Sequence, residues 1–354
     1  MTTNHKFFLN LAFQIAEKNL GQTGQNPSVG SIVVKNNTVI SSGVTSINGR
    51  PHAEYNALNK AKNTTGSTLY TSLEPCIHFG KTPPCTDIII KKKIKSVYFG
   101  LEDPDLRTFQ KAKKILKKKG IKTKLIKSKK YNNFYKSYLI NKKYNKPFIS
   151  AKIAISKDYY TINKKEKWIT NIFSRKVTHL IRSRHDGIIS TSQSINSDNA
   201  LLNCRLEGLT EYKPDLFIID LNLKLKKNLL LNKILKKRKT YLITYKVNKE
   251  KARAYKKKGY KIISIDSLRD KEDFDLLLKK IYKMGYSRIL VESGLTFLNT
   301  LIKNRIINDL YIFSSNYNLK KKGKNNATLK YLKNISPRTV SINLNNDKLF
   351  KMEF

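Results

Sequence analysis

The 354-residue chain carries 71 Lys+Arg against 25 Asp+Glu, a formal net charge of +46, and at roughly 100–200 residues per domain its length predicts two domains, each able to bury a core. Three cysteines, Cys76, Cys85 and Cys204, are too few and odd in number for a secreted disulfide framework, and no apolar run of about 18 residues or signal-like segment is present, so a soluble cytoplasmic protein is expected. The positive excess would favour nucleic acid as a partner, but it is lysine spread over the whole length, in runs at 91–93, 117–119, 256–258 and 320–322 beside abundant Asn and Ile; it reads as codon bias on a solvated surface.

In chain order, apolar spacing from Phe7 to Ile15 predicts a helix ending by Gly21, and residues 31–35, 39–42, 68–71, 97–100 and 122–126 read as strands. Phe109, Ala112, Ile115 and Leu116 keep helical spacing up to Gly120, placed as a C-terminal cap. An amphipathic helix over 131–144 runs into Asn145, Lys146 and Pro147, and proline stops it. Alternating strands and helices indicate an α/β layered domain, with a boundary near Asn145 separating residues 1–145 from 146–354. The second half opens on a strand at 147–155. A helix around 175–184, strands at 187–190, 216–220, 241–244 and 288–292, and a helix from Gly294 follow.

The strongest chemical signal is His52-Ala53-Glu54 followed by Glu74-Pro75-Cys76 and, after eight residues, Cys85. Each part alone is weak, since a lone His is more often a surface or satisfied core residue; order and context raise it. Pro51 suits the first turn of a helix through Leu58, which puts His52 and Glu54 at that helix's N-terminus, where both can reach an ion beyond the first turn. Cys76 follows the strand 68–71, and a thiolate there gains from the positive end of a following helix. One imidazole and two thiolates suit Zn²⁺ and leave a fourth tetrahedral position for water, the arrangement of a catalytic site. Zinc lowers the pKa of such a water to about 7, and Glu54 is placed to carry its proton to the ring nitrogen and departing amine. Zinc nucleobase deaminases work in this way with P-C-x2-C as the second element; here it is P-C-x8-C.

That longer variant, residues 68–87, together with Asn26-Pro27-Ser28-Val29-Gly30 and Gly49-Arg50-Pro51-His52-Ala53-Glu54, resembles the deaminase domain of the bifunctional riboflavin-biosynthesis deaminase/reductase family over about residues 5–145. The resemblance implies a cytidine-deaminase-like α/β/α fold, zinc ligands His52, Cys76 and Cys85, Glu54 as proton shuttle, and a diaminopyrimidinone substrate bearing a phosphoribosylamino group. Between the cysteines, His78, Lys81 and Thr82 form a polar loop that either holds the substrate or only shapes the zinc site. Lys81 stands where the family usually has Arg, which turns a bidentate phosphate contact into a point-charge one.

The second half has no G-x-G-x-x-G after a strand, so a Rossmann site is not supported. Residues 151–158, Trp168-Ile169-Thr170, His179 to Arg182, Asp186 to Ile189, Ser194 to Arg205 and Val291-Glu292-Ser293-Gly294 follow the order and spacing of the family's reductase domain. This resemblance implies a dihydrofolate-reductase-like α/β fold that uses NADPH to convert a ribosyl side chain to ribityl. It places Ala154, Trp168, Ser194 and Asp198 on the NADPH side, and Leu202 and Glu292 on the substrate side. Gly294 at a helix start can admit a cofactor phosphate to backbone N–H groups, and Arg182 and Arg205 offer forks for the substrate phosphate. Without the resemblance, Trp168 reads as core and Asp198 as a turn residue; Cys204 reads as a buried, unreactive thiol.

Three departures bear on reduction: the family's S-x-D-G is Ser156-Lys157-Asp158-Tyr159, its D-D-P-x-L is Asp198-Asn199-Ala200-Leu201-Leu202, and Glu166 replaces a serine of the substrate stretch. The sequence therefore predicts a zinc- and NADPH-dependent bifunctional enzyme acting on a small phosphorylated pyrimidine, with no specific nucleic acid and no membrane, and is compatible with a homo-oligomer. Two alternatives stand beside it: a deaminase with a non-catalytic C-terminal domain, and a zinc deaminase directed at nucleic acid.

Overall fold

The structure, a computed structural model, describes residues 4–210, 214–327 and 338–354. Two compact units form, Met1–Asn145 and Lys146–Phe354.

The first unit runs α1 (His5–Glu17), β1 (Gly30–Lys35), β2 (Thr38–Val44), α2 (Ala53–Lys60), β3 (Thr68–Thr71), α3 (Cys85–Lys91), β4 (Ser96–Phe99), α4 (Lys111–Lys118), β5 (Lys122–Leu125), α5 (Lys129–Phe134) and α6 (Lys136–Tyr144). Its sheet has the order β2-β1-β3-β4-β5, antiparallel at β1 and parallel from β3 to β5. Because successive strand residues point to opposite faces, Ile32, Val34, Tyr70 and Tyr98 bury against α1, α5 and α6, while Val33, Leu69 and Val97 bury against α2, α3 and α4. The result is an α/β/α sandwich. Two glycines permit the helices to approach: a Cβ at Gly30 would lie 2.0 Å from the Ala12 carbonyl oxygen, and one at Gly43 would lie 2.4 Å from Ala53 O and Ala57 N. The second contact presses the start of α2 onto β2.

Two local expectations are corrected. Pro51 is not in the first turn of α2: His52, extended at φ −72° and ψ 162°, is the N-cap, and Pro51 precedes it. The helix over 131–144 is two helices that meet at Tyr135, whose hydroxyl is drawn into the core to bond Ser72 Oγ (2.7 Å) and the Ser28 carbonyl (3.2 Å). Asn145, left-handed at φ 53°, ends the second of them ahead of Pro147.

The second unit contains β6 (Phe148–Ile155), β7 (Tyr160–Asn163), α7 (Ile172–Ser183), β8 (Gly187–Thr191), α8 (Ser192–Asp198), β9 (Asp215–Ile219), β10 (Thr240–Tyr245), α9 (Lys249–Lys257), β11 (Lys261–Ile265), α10 (Lys271–Lys283), β12 (Arg288–Val291), α11 (Leu295–Lys303), β13 (Asp309–Ser314), β14 (Gly323–Asn326), β15 (Arg338–Thr339) and β16 (Lys348–Glu353). Seven parallel strands in the order β11-β10-β9-β8-β12-β6-β13 continue into antiparallel β16 and β15. Helices α10 and α11 cover one face; Ile181 of α7 and Ile195 of α8 join the core of the other.

The lost glycine at 159 leaves its turn intact. Tyr159 adopts φ 67°, the left-handed region that glycine enters at no steric cost. Asp158 holds the turn by accepting from the backbone of Leu319 (2.9 Å) and Lys320 (2.8 Å). The lysine runs at 117–119 and 256–258 face solvent, and among the described residues no helix is long and apolar enough to cross a membrane.

Candidate active sites and family

In the first unit, three element ends meet beyond the carboxyl edge of the parallel strands, where open α/β sheets place their ligands. The N-terminus of α2 supplies His52 and Glu54, the segment after β3 supplies Cys76, and the first residue of α3 is Cys85. The ligand atoms of His52, Cys76 and Cys85 all lie within 4.8 Å of one another. His52 Nδ1 is 3.5 Å from Cys76 Sγ and 3.4 Å from Cys85 Sγ. Donors held about 2.0–2.3 Å from a tetrahedral Zn²⁺ stand roughly 3.5 Å apart, so the donor set and its spacing both fit zinc.

The protonation states favour a cation. Burial opposes charge on His52, but its hydrogen bond to the Cys76 sulfur and the Glu54 charge outweigh that and raise its pKa. The Cys85 thiol, hydrogen-bonded to Cys76, lowers the Cys76 pKa against the cost of burial. The first N–H of α3, from Cys85, also reaches Cys76 Sγ at 3.3 Å; the helix expected to stabilise this thiolate begins nine residues on. Cys85 is shifted upwards by that same bond and by burial. A metal ion displaces such protons.

Glu54 is 3 % exposed. Burial pushes its pKa up to about 6, partly opposed by His52, which suits proton transfer near neutrality. Its carboxylate accepts from Thr71 Oγ1 and from Cys85 Sγ, both at 3.4 Å, and so is anchored within reach of the three ligand atoms. Glu74, which the sequence offered only as part of a motif, accepts the backbone N–H groups of Asp103 (3.2 Å), Gln110 (3.1 Å) and Ala112 (3.1 Å). It ties the turn before Cys76 to the segment leading into α4. In the loop between the cysteines, His78 Nδ1 contacts Thr108 Oγ1 at 3.2 Å, Lys81 is exposed, and Arg50 Nη1 donates to Thr82 Oγ1.

In the second unit the corresponding edge carries an ion pair. Arg182 binds Glu292 through Nε–Oε1 (2.5 Å) and Nη2–Oε2 (2.9 Å) and donates from Nη1 to the Asn203 carbonyl (2.9 Å). Its fork is thus occupied by Glu292 rather than presented to a phosphate, because both side chains are buried and an ionised carboxylate there requires a partner. Arg205 is exposed, with Nη1 on Asn203 Oδ1 at 3.0 Å. Leu202 is buried at φ 49°. The Gly294 N–H donates to Ser194 Oγ at 3.0 Å, joining two residues expected on the cofactor side. A Cβ at Gly294 would have only that oxygen, at 3.7 Å, within 4 Å, so the start of α11 is an open cradle compatible with a cofactor phosphate. Trp168 is 50 % exposed, with Arg175 Cζ 4.8 Å and Lys167 Nζ 5.3 Å from its ring centre; it is not core. Asp198 is exposed at the end of α8, and Ala154 is half-buried. Cys204 is fully buried, with Sγ 3.4 Å from the His179 carbonyl.

Sequence reasoning named Lys152 only within a motif. Burial lowers its pKa against the opposing charge of Glu292, with smaller contributions from Arg182 and Asp198, so it belongs electrostatically to the same cluster. The available signal was a lysine inside the apolar strand Phe148–Ile155.

Residues 2–101 match the family described as the cytidine and deoxycytidylate deaminase zinc-binding region, and residues 147–317 match the RibD C-terminal domain. The riboflavin biosynthesis protein RibD of Aquifex aeolicus is 32% identical over 317 residues, which cover 87% of this chain and 86% of that one. The RibD of Buchnera aphidicola is 31% identical, covering 87% and 86%. Among solved structures, Acinetobacter baumannii RibD superposes with a TM-score of 0.84 at 23% identity, over 99% of this chain and 98% of that one. A zinc-binding deaminase region followed by a RibD C-terminal domain, matched along nearly the whole chain, makes this protein a member of the RibD family, the bifunctional deaminase/reductase enzymes of riboflavin biosynthesis.

Proposed function

We propose that residues 1–145 hydrolytically deaminate a diamino-hydroxy-phosphoribosylaminopyrimidine and that residues 146–354 then reduce the ribosyl side chain of the product to ribityl with NADPH, in the cytoplasm. The observation that carries the reading is the convergence of His52, Cys76 and Cys85 within 4.8 Å beside the buried carboxylate of Glu54. His52, Cys76 and Cys85 hold one zinc per chain, which when bound supplies Lewis acidity and lowers the pKa of a water towards about 7. Glu54 takes a proton from the attacking water, returns it to the ring nitrogen and passes a second to the departing amine. Thr71 fixes the carboxylate during both transfers, while His78 and Lys81 face the substrate's polar groups.

NADPH, when bound, supplies the hydride for the second reaction. Ala154, Trp168, Ser194, Asp198 and Gly294 hold it, and Leu202, Glu292 and Arg205 meet the substrate. Arg182 keeps Glu292 ionised: burial opposes the charge, but the guanidinium more than compensates and lowers the Glu292 pKa. Lys152 is the proton-bearing side chain of that cluster.

Incubating the protein with the diaminopyrimidinone phosphate and identifying products by mass tests the reading. Without NADPH one amine should be replaced by oxygen; with NADPH two hydrogens should also be added. An unchanged substrate in both reactions overturns it, and a product that stops at deamination would leave the second unit non-catalytic. Binding should also lack the steep salt dependence that many phosphate contacts impose on nucleic-acid complexes.

Substitutions in each half separate the two activities. Cys76→Ala or Cys85→Ala should lose zinc and deamination together, yet still oxidise NADPH when given the deaminated intermediate; full zinc retention would remove these residues as ligands. Arg205→Gln should raise KM for that intermediate by about 10-fold or more, as expected when a charge-assisted hydrogen bond is lost. Its kcat should change less, because a phosphate remote from the reacting carbon is bound equally in ground and transition states. An unaltered KM would place the phosphate elsewhere.

A further inference from the structure

Arg50 lies two residues before His52, in the segment leading into α2. Its side chain reaches over the loop between the two cysteines: Nη1 donates to Thr82 Oγ1, and Nη2 is 3.1 Å from the position a Cβ would take at Gly80. The loop is tightened by the Gly80 N–H, which donates to the Thr82 carbonyl at 3.2 Å. His78 Cδ2 borders the same point at 4.0 Å. Guanidinium, imidazole and hydroxyl therefore surround one spot beside the zinc ligands, and the bare backbone of Gly80 leaves it open.

The charge balance there is uneven. Arg107, whose charge reaches His78, is already bound to Asp105 through Nε (2.9 Å) and Nη2 (2.7 Å). Lys142 shares that same carboxylate at 2.9 Å. No carboxylate among the described residues pairs with Arg50, whose guanidinium has five donors and is half-buried. A planar fork with donors to spare, without an anion, is complementary to phosphate oxygens.

We infer that Arg50 binds the phosphate of the deaminase substrate and is the residue by which this site distinguishes a phosphorylated pyrimidine from its dephosphorylated counterpart. The inference rests on the proposed deaminase reaction and deepens it. Lys81 is exposed on the same loop and offers a point charge; Arg50 supplies the bidentate contact that a lysine lacks. Thr82 orients the guanidinium from one side, and Gly80 keeps side-chain atoms out of the space the phosphate enters.

The test uses the full zinc-loaded chain, the diaminopyrimidinone phosphate and the same compound without its phosphate. In the wild-type protein the phosphorylated form should have the lower KM. Arg50→Gln should raise KM for that form by roughly 10- to 100-fold, the range for a lost charge-assisted hydrogen bond, with kcat changed less than about 2-fold. For the dephosphorylated compound Arg50→Gln should leave KM unchanged, and Arg50→Lys should recover only part of the loss with the phosphorylated one. Equal KM increases for both compounds would mean that Arg50 merely shapes the loop, and no increase for either would mean that it does not meet substrate; each result overturns the inference while the deaminase reading stands. If the wild-type protein deaminates neither compound, the deaminase reading itself falls and takes the inference with it.

Discussion

Exchanging Glu54 for Gln should lower deamination by about 10²- to 10⁴-fold, the usual contribution of general acid/base catalysis, with zinc content unchanged. The substitution keeps size and shape, so contacts with Thr71 Oγ1 and Cys85 Sγ, both 3.4 Å from the carboxylate, can persist. It removes only the ability to accept and return a proton. Glu54 is fully buried, and that burial pushes its pKa up to about 6 against the opposing His52 charge, so the neutral amide removes a charge that burial disfavours. NADPH oxidation with deaminated intermediate should be unaffected. Metal analysis and turnover together decide the matter: unchanged turnover removes Glu54 from the chemistry, and loss of zinc along with activity would make it a ligand instead of a shuttle.

Arg182→Met should destabilise the second unit by about 3–5 kcal/mol, the range found when one member of a buried ion pair is removed, and should abolish reduction. Glu292 would be left inside the protein without the guanidinium that now contacts both its oxygens at 2.5 and 2.9 Å, and the Asn203 carbonyl would lose one of its two donors, the guanidinium at 2.9 Å, keeping His179 Nδ1 at 3.0 Å. The pH dependence carries a definite sign. Burial raises the Glu292 pKa but Arg182 overcompensates, so the folded value lies below the ordinary 4.5. The pair's contribution is therefore complete above that ordinary value and is lost as pH falls through the lower, folded one. In Arg182→Met the strongest charge opposing burial is gone and only the weaker effects of Lys152 and His179 remain, so the carboxyl pKa rises and the loss of stability on acidification shrinks. Calorimetric unfolding from pH 7 down to below the folded Glu292 pKa measures both effects; a melting temperature and pH slope equal to those of the wild type would show that the pair contributes nothing net.

Much of the fold and of the His52, Cys76 and Cys85 cluster was legible in the sequence. Strand alternation and helix periodicity are local and are read from side-chain order, which is why β3 at 68–71 and the start of β5 at 122 coincide with their predicted residues. The cluster was legible because His, Cys and Cys with a neighbouring Glu are few in this chain and their chemistry is specific. Spacing also placed Gly294 at the head of a helix and Gly120, at φ 74°, after the end of another.

Tertiary structure decided what depends on partners distant in sequence. No local pattern shows that the Arg182 fork is taken by Glu292, 110 residues away, so an arginine assigned to a substrate phosphate became the counter-ion of a buried carboxylate. The break at Tyr135 follows from a hydroxyl that must find Ser28 and Ser72 once buried, a demand invisible in helical periodicity. Tyr159 retains a glycine-like turn because Asp158 binds the chain at Leu319 and Lys320. The sequence by itself determined the layers, the order of the two units and the residues able to bind a metal, since these depend on side-chain type and short-range period. Which charges are satisfied within the protein and which remain for a ligand was decided only by folding, because pairing a buried charge requires an opposite charge brought close in space, whatever the separation along the chain.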